Sequence, residues 1–209
     1  MTDHVPAGAA PFRADLAEPS VGLHAWVDES MRLTPHEGTY ILAAVVCDPT
    51  CTDDTRDQMR ALLLRGQSRL HWHDERNDRR STIAASIASI DMAALVVVGT
   101  PVATAKQERA RRLCMEVLLP RLGNLGVNLV WLESRTPALN QADSRMVRAL
   151  RGKQLIPRAL RVESARPTEE PMLWIPDALA GAVNAARNDD PRWLNVMRQT
   201  VEIIEIGLR

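Results

Sequence analysis

Three acidic positions carry the chemistry this chain could do. Asp28 and Glu29 close a strand-like segment, Glu133 closes another, and Asp177 is the one charged residue between Pro171 and Arg187. In open α/β sheets, binding and catalytic groups gather at the carboxyl ends of strands. Asp177 interrupts the apolar runs Leu173-Trp174-Ile175-Pro176 and Ala178-Leu179-Ala180. A lone carboxylate there is unfavourable unless paired, metal-bound or hydrogen-bonded. Each acid also has an ordinary reading: Asp28 as a turn residue, Glu133 as a solvated strand end, Asp177 as a first-turn acid facing the helix dipole. Glu29 follows Asp28 directly, so in a regular strand it points to the opposite face and ranks below it.

A second cluster is His71-Trp72-His73-Asp74-Glu75. On a strand His71 and His73 share a face, which admits metal ligation, positioning of a phosphate, a proton shuttle or a structural turn. No His follows the Asp at zinc-hydrolase spacing, because Arg76 comes after Glu75. A third is basic: seven Arg and Lys residues stand against Glu163 between Ser144 and Arg166, with Arg145, Arg148, Arg151 and Lys153 nearest together. Such a face can track a phosphate backbone or simply be a solvated helix. The 26 basic and 26 acidic residues cancel, which excludes a chain that coats nucleic acid by bulk charge. Trp26, Trp131 and Trp174 read as core rather than stacking platforms. Three Cys make no disulfide framework, and no Gly-rich phosphate loop of either common type is present.

The elements that must position these groups are legible as a pattern. Length (209 residues) and 45% hydrophobic content fit one folded domain over 21–209, preceded by a flexible arm over 1–20. The expected strands are Val21–Val27, broken at Asp28-Glu29-Ser30; Tyr40–Cys47; Ala94–Val98; Val127–Glu133; and, bulged by Pro157, Leu155–Val162. The first two suit an antiparallel hairpin. Helices are expected around Met59, Leu62 and Leu63; around Ile83, Ile87 and Ile90; over the stripe Ala110, Leu113, Cys114, Val117 and Leu118; over Leu139 to Leu150; and from Pro176 to Arg187. Trp193–Leu208 is ambiguous, although Val201–Ile206 alternates enough to form an edge strand or to pack a partner. Strands alternating with helices indicate an α/β sandwich on a mixed, mainly parallel sheet.

Trp26-Val27-Asp28-Glu29-Ser30, followed by the strand Tyr40–Cys47, resembles the opening of a bacterial domain-of-unknown-function family that bears an Asp-Glu-Ser-Gly motif on its first strand. That family is grouped with RNase H-like (retroviral-integrase-like) folds. Pro171 to Val183 resembles its closing element, an Asp ahead of a small-residue helix containing Ala-Gly, and a Leu-His string like Leu70-His71 precedes a helix there too. The resemblance spans roughly residues 21 to 187. Met31 stands where the family has Gly, and Glu133 where such folds often place Asp.

The resemblance implies an RNase H-like three-layer sandwich and two-metal phosphodiester chemistry, with Mg²⁺ or Mn²⁺ ions about 4 Å apart. Asp28 would bind both ions, Glu133 one and Asp177 the other, with His71 and His73 assisting. The leading expectation is a metal-dependent nuclease or nuclease-like phosphodiester-processing protein, with Arg145, Arg148, Arg151 and Lys153 on the nucleic acid. The alternative is a catalytically silent binding or regulatory module on the same fold, associated with a mobile or defence system. A small-molecule hydrolase using His71 and His73 ranks third. No secretion signal or membrane-spanning run is apparent, so a cytoplasmic protein with no membrane partner is expected; oligomeric state stays open.

Overall fold

The computed structural model describes residues 22–32, 38–197 and 201–208. The arm expected over 1–20 lies outside them. Six strands form one sheet: β1 (Leu23–Arg32), β2 (Gly38–Cys47), β3 (Ala93–Val102), β4 (Val127–Glu133), β5 (Arg161–Ala165) and β6 (Val201–Gly207). Their order across the sheet is β5-β4-β1-β2-β3-β6. The β1–β2 and β2–β3 pairings are antiparallel. The β1–β4, β4–β5 and β3–β6 pairings are parallel.

Among the described residues six α-helices cover the two faces: α1 (Thr52–Arg60), α2 (Asn77–Ala88), α3 (Gln107–Asn124), α4 (Pro137–Gly152), α5 (Trp174–Ala186) and α6 (Arg192–Met197). Period-2 alternation divides the central strands between two cores. Trp26, Ile41, Ala43, Val45, Val96 and Val98 face α1, α2, α5 and α6. Ala25, Val27, Leu42, Ala44, Leu95 and Val97 face α3 and α4. Because β2 is covered on both faces, its apolar run is continuous rather than alternating. The architecture is therefore α/β, with a mixed sheet between two helical layers. Among the described residues no helix is long and apolar enough to cross a membrane.

Four boundaries differ from expectation, each for a local reason. The first strand does not break at Asp28: β2 pairs with it as far as Arg32↔Thr39, so Asp28 sits inside β1 opposite Ala43. Residues 155–160 are not strand. Pro157 has no N–H to give a ladder and its carbonyl instead accepts from the Leu160 N–H at 3.2 Å, so β5 starts only at Arg161. The last long helix opens at Trp174, ahead of Pro176. The ambiguous C-terminal segment resolves into α6 and then β6, an edge strand parallel to β3. Finally, α3 and α4 are rotated from their expected faces. Arg111, Met115, Leu119 and Leu122 join Ala110, Cys114 and Leu118 inside, while α4 buries Asp143, Val147 and Leu150.

Candidate functional site

The site arises where two parallel strands part company. β1 and β4 pair up to Val27↔Leu132; β4 then ends at Glu133, while β1 runs on through Asp28 to Arg32. The notch holds Asp28 from the middle of β1 and Glu133 from the end of β4. Asp28 shares the Trp26 face of its strand, the face covered by α5. The third acid, Asp177, comes from the first turn of α5. The three expected carboxylates, distant in sequence, line one cavity of about 240 Å³, and His71 lines it with them.

Asp28 is only 7% exposed. Its Oδ1 accepts the Glu29 backbone N–H at 2.7 Å. Burial, then the negative charges of Glu133 and Asp177 and a hydrogen bond shared with Glu133, push its carboxyl well above the ordinary range. Burial also raises Asp177, and Glu133 adds to it; the Trp72 N–H, donating to Asp177 Oδ2 at 2.8 Å, works the other way. Arg111 and Arg135 also line this cavity, but their guanidinium groups are engaged by Glu29, Asp143 and Glu108. Arg69 reaches Glu133 at 3.8 Å with its own side chain 40% exposed, and His71 acts on Asp177 through space. Buried like charges without compensation favour either a bound proton or a bound cation.

The His71–His73 segment is a short 3₁₀ turn, not a strand. Trp72 is its anchor. The indole is buried, meets Trp193 edge-on at 5.4 Å, and lies so close to Gly181 of α5 that a Cβ there would fall 2.1 Å from Trp72 Cδ1. The Arg80 guanidinium stands 5.4 Å from both indoles, and its Nε donates to the Trp72 carbonyl at 3.1 Å. His71 Nδ1 lies 3.0 Å from Asp74 Oδ2, which orients the ring. The two imidazoles are 6.3 Å apart, and His73 does not line the carboxylate cavity. They do not form a chelating pair. The turn instead brings His71 to the acids and His73 to the space beside them.

On the other face of β1 lies a network that spacing alone did not reveal. Glu29 accepts from Tyr40 and from Arg111. Arg111, its side chain 4% exposed, also donates from Nη2 to Asp143 Oδ2 at 2.9 Å. Arg135 continues the chain to Asp143 Oδ1 at 3.0 Å and to Glu108 Oε1 at 2.7 Å. Burial alone would disfavour the Arg111 charge; the acidic groups around it reverse that and hold it firmly protonated. Adjacent acids thus have opposite surroundings, Glu29 neutralised and Asp28 not. The only advance signal of this network was a charge, Arg111, inside an otherwise apolar helical stripe.

The basic residues of α4, and Lys153 at its C-terminal cap, do not join the site. Arg145, Arg148 and Lys153 are exposed, while Arg151 donates to the Leu160 carbonyl at 2.9 Å and secures the approach to β5. α4 belongs to the layer opposite α5.

Carboxylate oxygens are the ligands that Mg²⁺ and Mn²⁺ prefer, so the donor chemistry at Asp28, Glu133 and Asp177 fits those ions. Among the described residues, however, no three His, Cys, Asp or Glu side chains are grouped so as to hold a metal as they stand. No family model matches the chain, and no curated protein matches its sequence.

Proposed function

We propose that this protein is a divalent-cation-dependent enzyme that cleaves phosphodiester bonds in nucleic acid, on an RNase H-like scaffold. The observation that carries the reading is the convergence of Asp28, Glu133 and Asp177 on one cavity, with Asp28 buried and set against the negative charges of the other two. The strand order supports the scaffold. Antiparallel β1, β2 and β3 are extended by parallel β4 and β5, and the acids sit on the first strand, the fourth strand and a late helix.

When bound, Mg²⁺ or Mn²⁺ ions supply an activated water and stabilise charge on the phosphoryl and leaving oxygens. The chain's own groups do the rest. Asp28, central and most buried, bridges to both neighbouring acids. Glu133 and Asp177 hold the flanks, Asp177 being oriented by the Trp72 N–H. His71, its Nδ1 engaged by Asp74, turns its other nitrogen to hydrogen-bond a phosphate oxygen or carry a proton. Arg145 and Arg148 of α4, with Lys153 at its cap, offer a separate surface for remote phosphates of a long substrate.

The alternative, a silent binding module on the same scaffold, draws on Met31, whose partly exposed side chain lines the cavity where the resembling family has Gly. Incubating the protein with single-stranded, duplex and hybrid substrates, with Mn²⁺ or Mg²⁺ and then with EDTA, separates the two. The proposal expects cation-dependent cleavage that Asp28→Asn abolishes. Undiminished cleavage by that variant would remove Asp28 from the site, and no cleavage together with no cation effect on melting would leave the silent module.

A further inference from the structure

A larger cavity, about 570 Å³, opens beside the carboxylates. It shares Glu29, Met31, His71 and Asp177 with the smaller one, so the two are continuous past His71. Beyond that junction the character of the wall changes. Ser30 and Arg32 from the end of β1 beyond its pairing with β4, His73 from the turn, Asn184 from α5 and Asn188 from the turn that follows α5 replace the acids. The remaining acid on that wall, Glu29, has its carboxylate engaged by Tyr40 and Arg111. The lining is thus rich in hydrogen-bond donors and carries positive charge from Arg32.

Size separates the roles of the two spaces. Pockets that enclose an organic ligand run from about 300 to 1,000 Å³. The 240 Å³ cavity is below that range and suits a phosphate group with its ions; the 570 Å³ cavity has room for a nucleotide unit. Its walls are also preformed. Gly181, Asn184 and Ala185 follow the i, i+3, i+4 spacing of one face of α5, and Asn188, in the turn after it, donates from Nδ2 to the Asn184 carbonyl at 2.6 Å. Opposite them the Trp72 turn is clamped by Gly181, Trp193 and Arg80.

We propose that this larger cavity seats the nucleotides flanking the scissile bond, with Arg32 and His73 meeting backbone phosphate and the Asn184 and Asn188 amides meeting sugar or base edges. The preferred substrate of the carboxylate site is therefore a polynucleotide strand, and a small phosphodiester reaches the acids without the contacts of this cavity. This rests on the reading of Asp28, Glu133 and Asp177 as the cleavage site, and the two are tested apart.

Binding of short fluorescein-labelled single-stranded DNA and RNA is followed by anisotropy in the Asp28→Asn background, so that turnover does not interfere. The expected result is binding to at least one strand type that Arg32→Glu and His73→Ala each weaken, with melting temperatures unchanged. Arg32→Ala should also lower the slope of log affinity against log salt by about 0.7, one phosphate contact on a single strand. Equal binding by parent, Arg32→Glu and His73→Ala, or no binding of either strand by the parent, overturns the proposal. The wild-type protein is meanwhile tested for Mn²⁺-dependent hydrolysis of bis(p-nitrophenyl) phosphate and for stabilisation by Mn²⁺. Hydrolysis without strand binding would overturn the cavity's role and leave the cleavage site. Arg32-dependent strand binding with neither cation effect would overturn the cleavage site and leave the cavity as a strand-binding surface.

Discussion

Replacing Asp28 by Asn should make the cation-free protein more stable. Asn keeps the shape and both local partners: its Oδ1 can accept the Glu29 N–H that Asp28 accepts at 2.7 Å, and its Nδ2 can donate to Glu133 without a shared proton. What is lost is a buried charge facing two others. The folded-state carboxyl of Asp28 is raised well above 3.8, so between that value and its folded value the folded protein holds a proton that the unfolded chain has released. Stability is therefore complete below the unfolded value and falls as pH rises, by about 1.4 kcal/mol per pH unit, until the folded carboxyl also ionises. For a chain of this size each pH unit in that window is worth about 3–6 °C in melting temperature.

Cations should reverse the ranking. An ion at a hundred times its dissociation constant adds about 2.7 kcal/mol to the wild type, about 5–11 °C, and far less to the variant. Melting curves at pH 8 should thus show Asp28→Asn above wild type in EDTA and below it in Mn²⁺ or Mg²⁺. A variant that melts below wild type in EDTA, or a wild type indifferent to both ions, would refute the electrostatic account of the notch.

The network behind β1 predicts the opposite sign. Arg111→Met removes the ion-pair partner of Glu29 and leaves Asp143 to Arg135 alone, and should cost about 3–5 kcal/mol, whereas Arg111→Met combined with Glu29→Gln should recover much of it. A single-variant loss below about 1 kcal/mol in urea unfolding would mark the pair as a solvated one. Gly181→Ala drives a methyl to 2.1 Å from Trp72 Cδ1 and should cost about 1–3 kcal/mol while shifting tryptophan emission; wild-type melting and emission would show that the turn is not clamped there. Burial pushes the Cys47 thiol to about 11 and the Cys114 thiol to about 12, while Cys51 is exposed. Iodoacetamide on the native protein at pH 7.5 should add one label, read by mass spectrometry, and labelling of Cys51→Ser would contradict that.

The parts of the fold that were legible in the sequence are those where one face decides everything. Tyr40–Cys47 is apolar throughout because β2 is covered on both sides, and Val201–Ile206 alternates because β6 is an edge. Asp177 stood out for a related reason: an acid in an apolar helix start must be answered by something, and the Trp72 N–H is part of that answer. The strand end at Asp28 was misplaced because local polarity imitates a turn. Only the pairing with β2 shows that the chain continues extended, and that continuation turns Asp28 from a surface residue into the centre of the notch.

Arg111 and Asp143 were illegible for the converse reason. Periodicity assigns apolar side chains to the inner face of a helix, so a charged residue rotates the expected face away from itself. Here Arg111 and Asp143 lie 32 positions apart and each supplies the condition for burying the other. The consequence reaches the site. By drawing Glu29 to the α3–α4 side, the pair leaves Asp28 as the β1 carboxylate that faces α5, with Glu133 beside it and Asp177 across from it. Two neighbouring acids on one strand are thereby given different partners. One is paired with Arg111 and contributes to the scaffold; the other stays buried beside the like charges of Glu133 and Asp177.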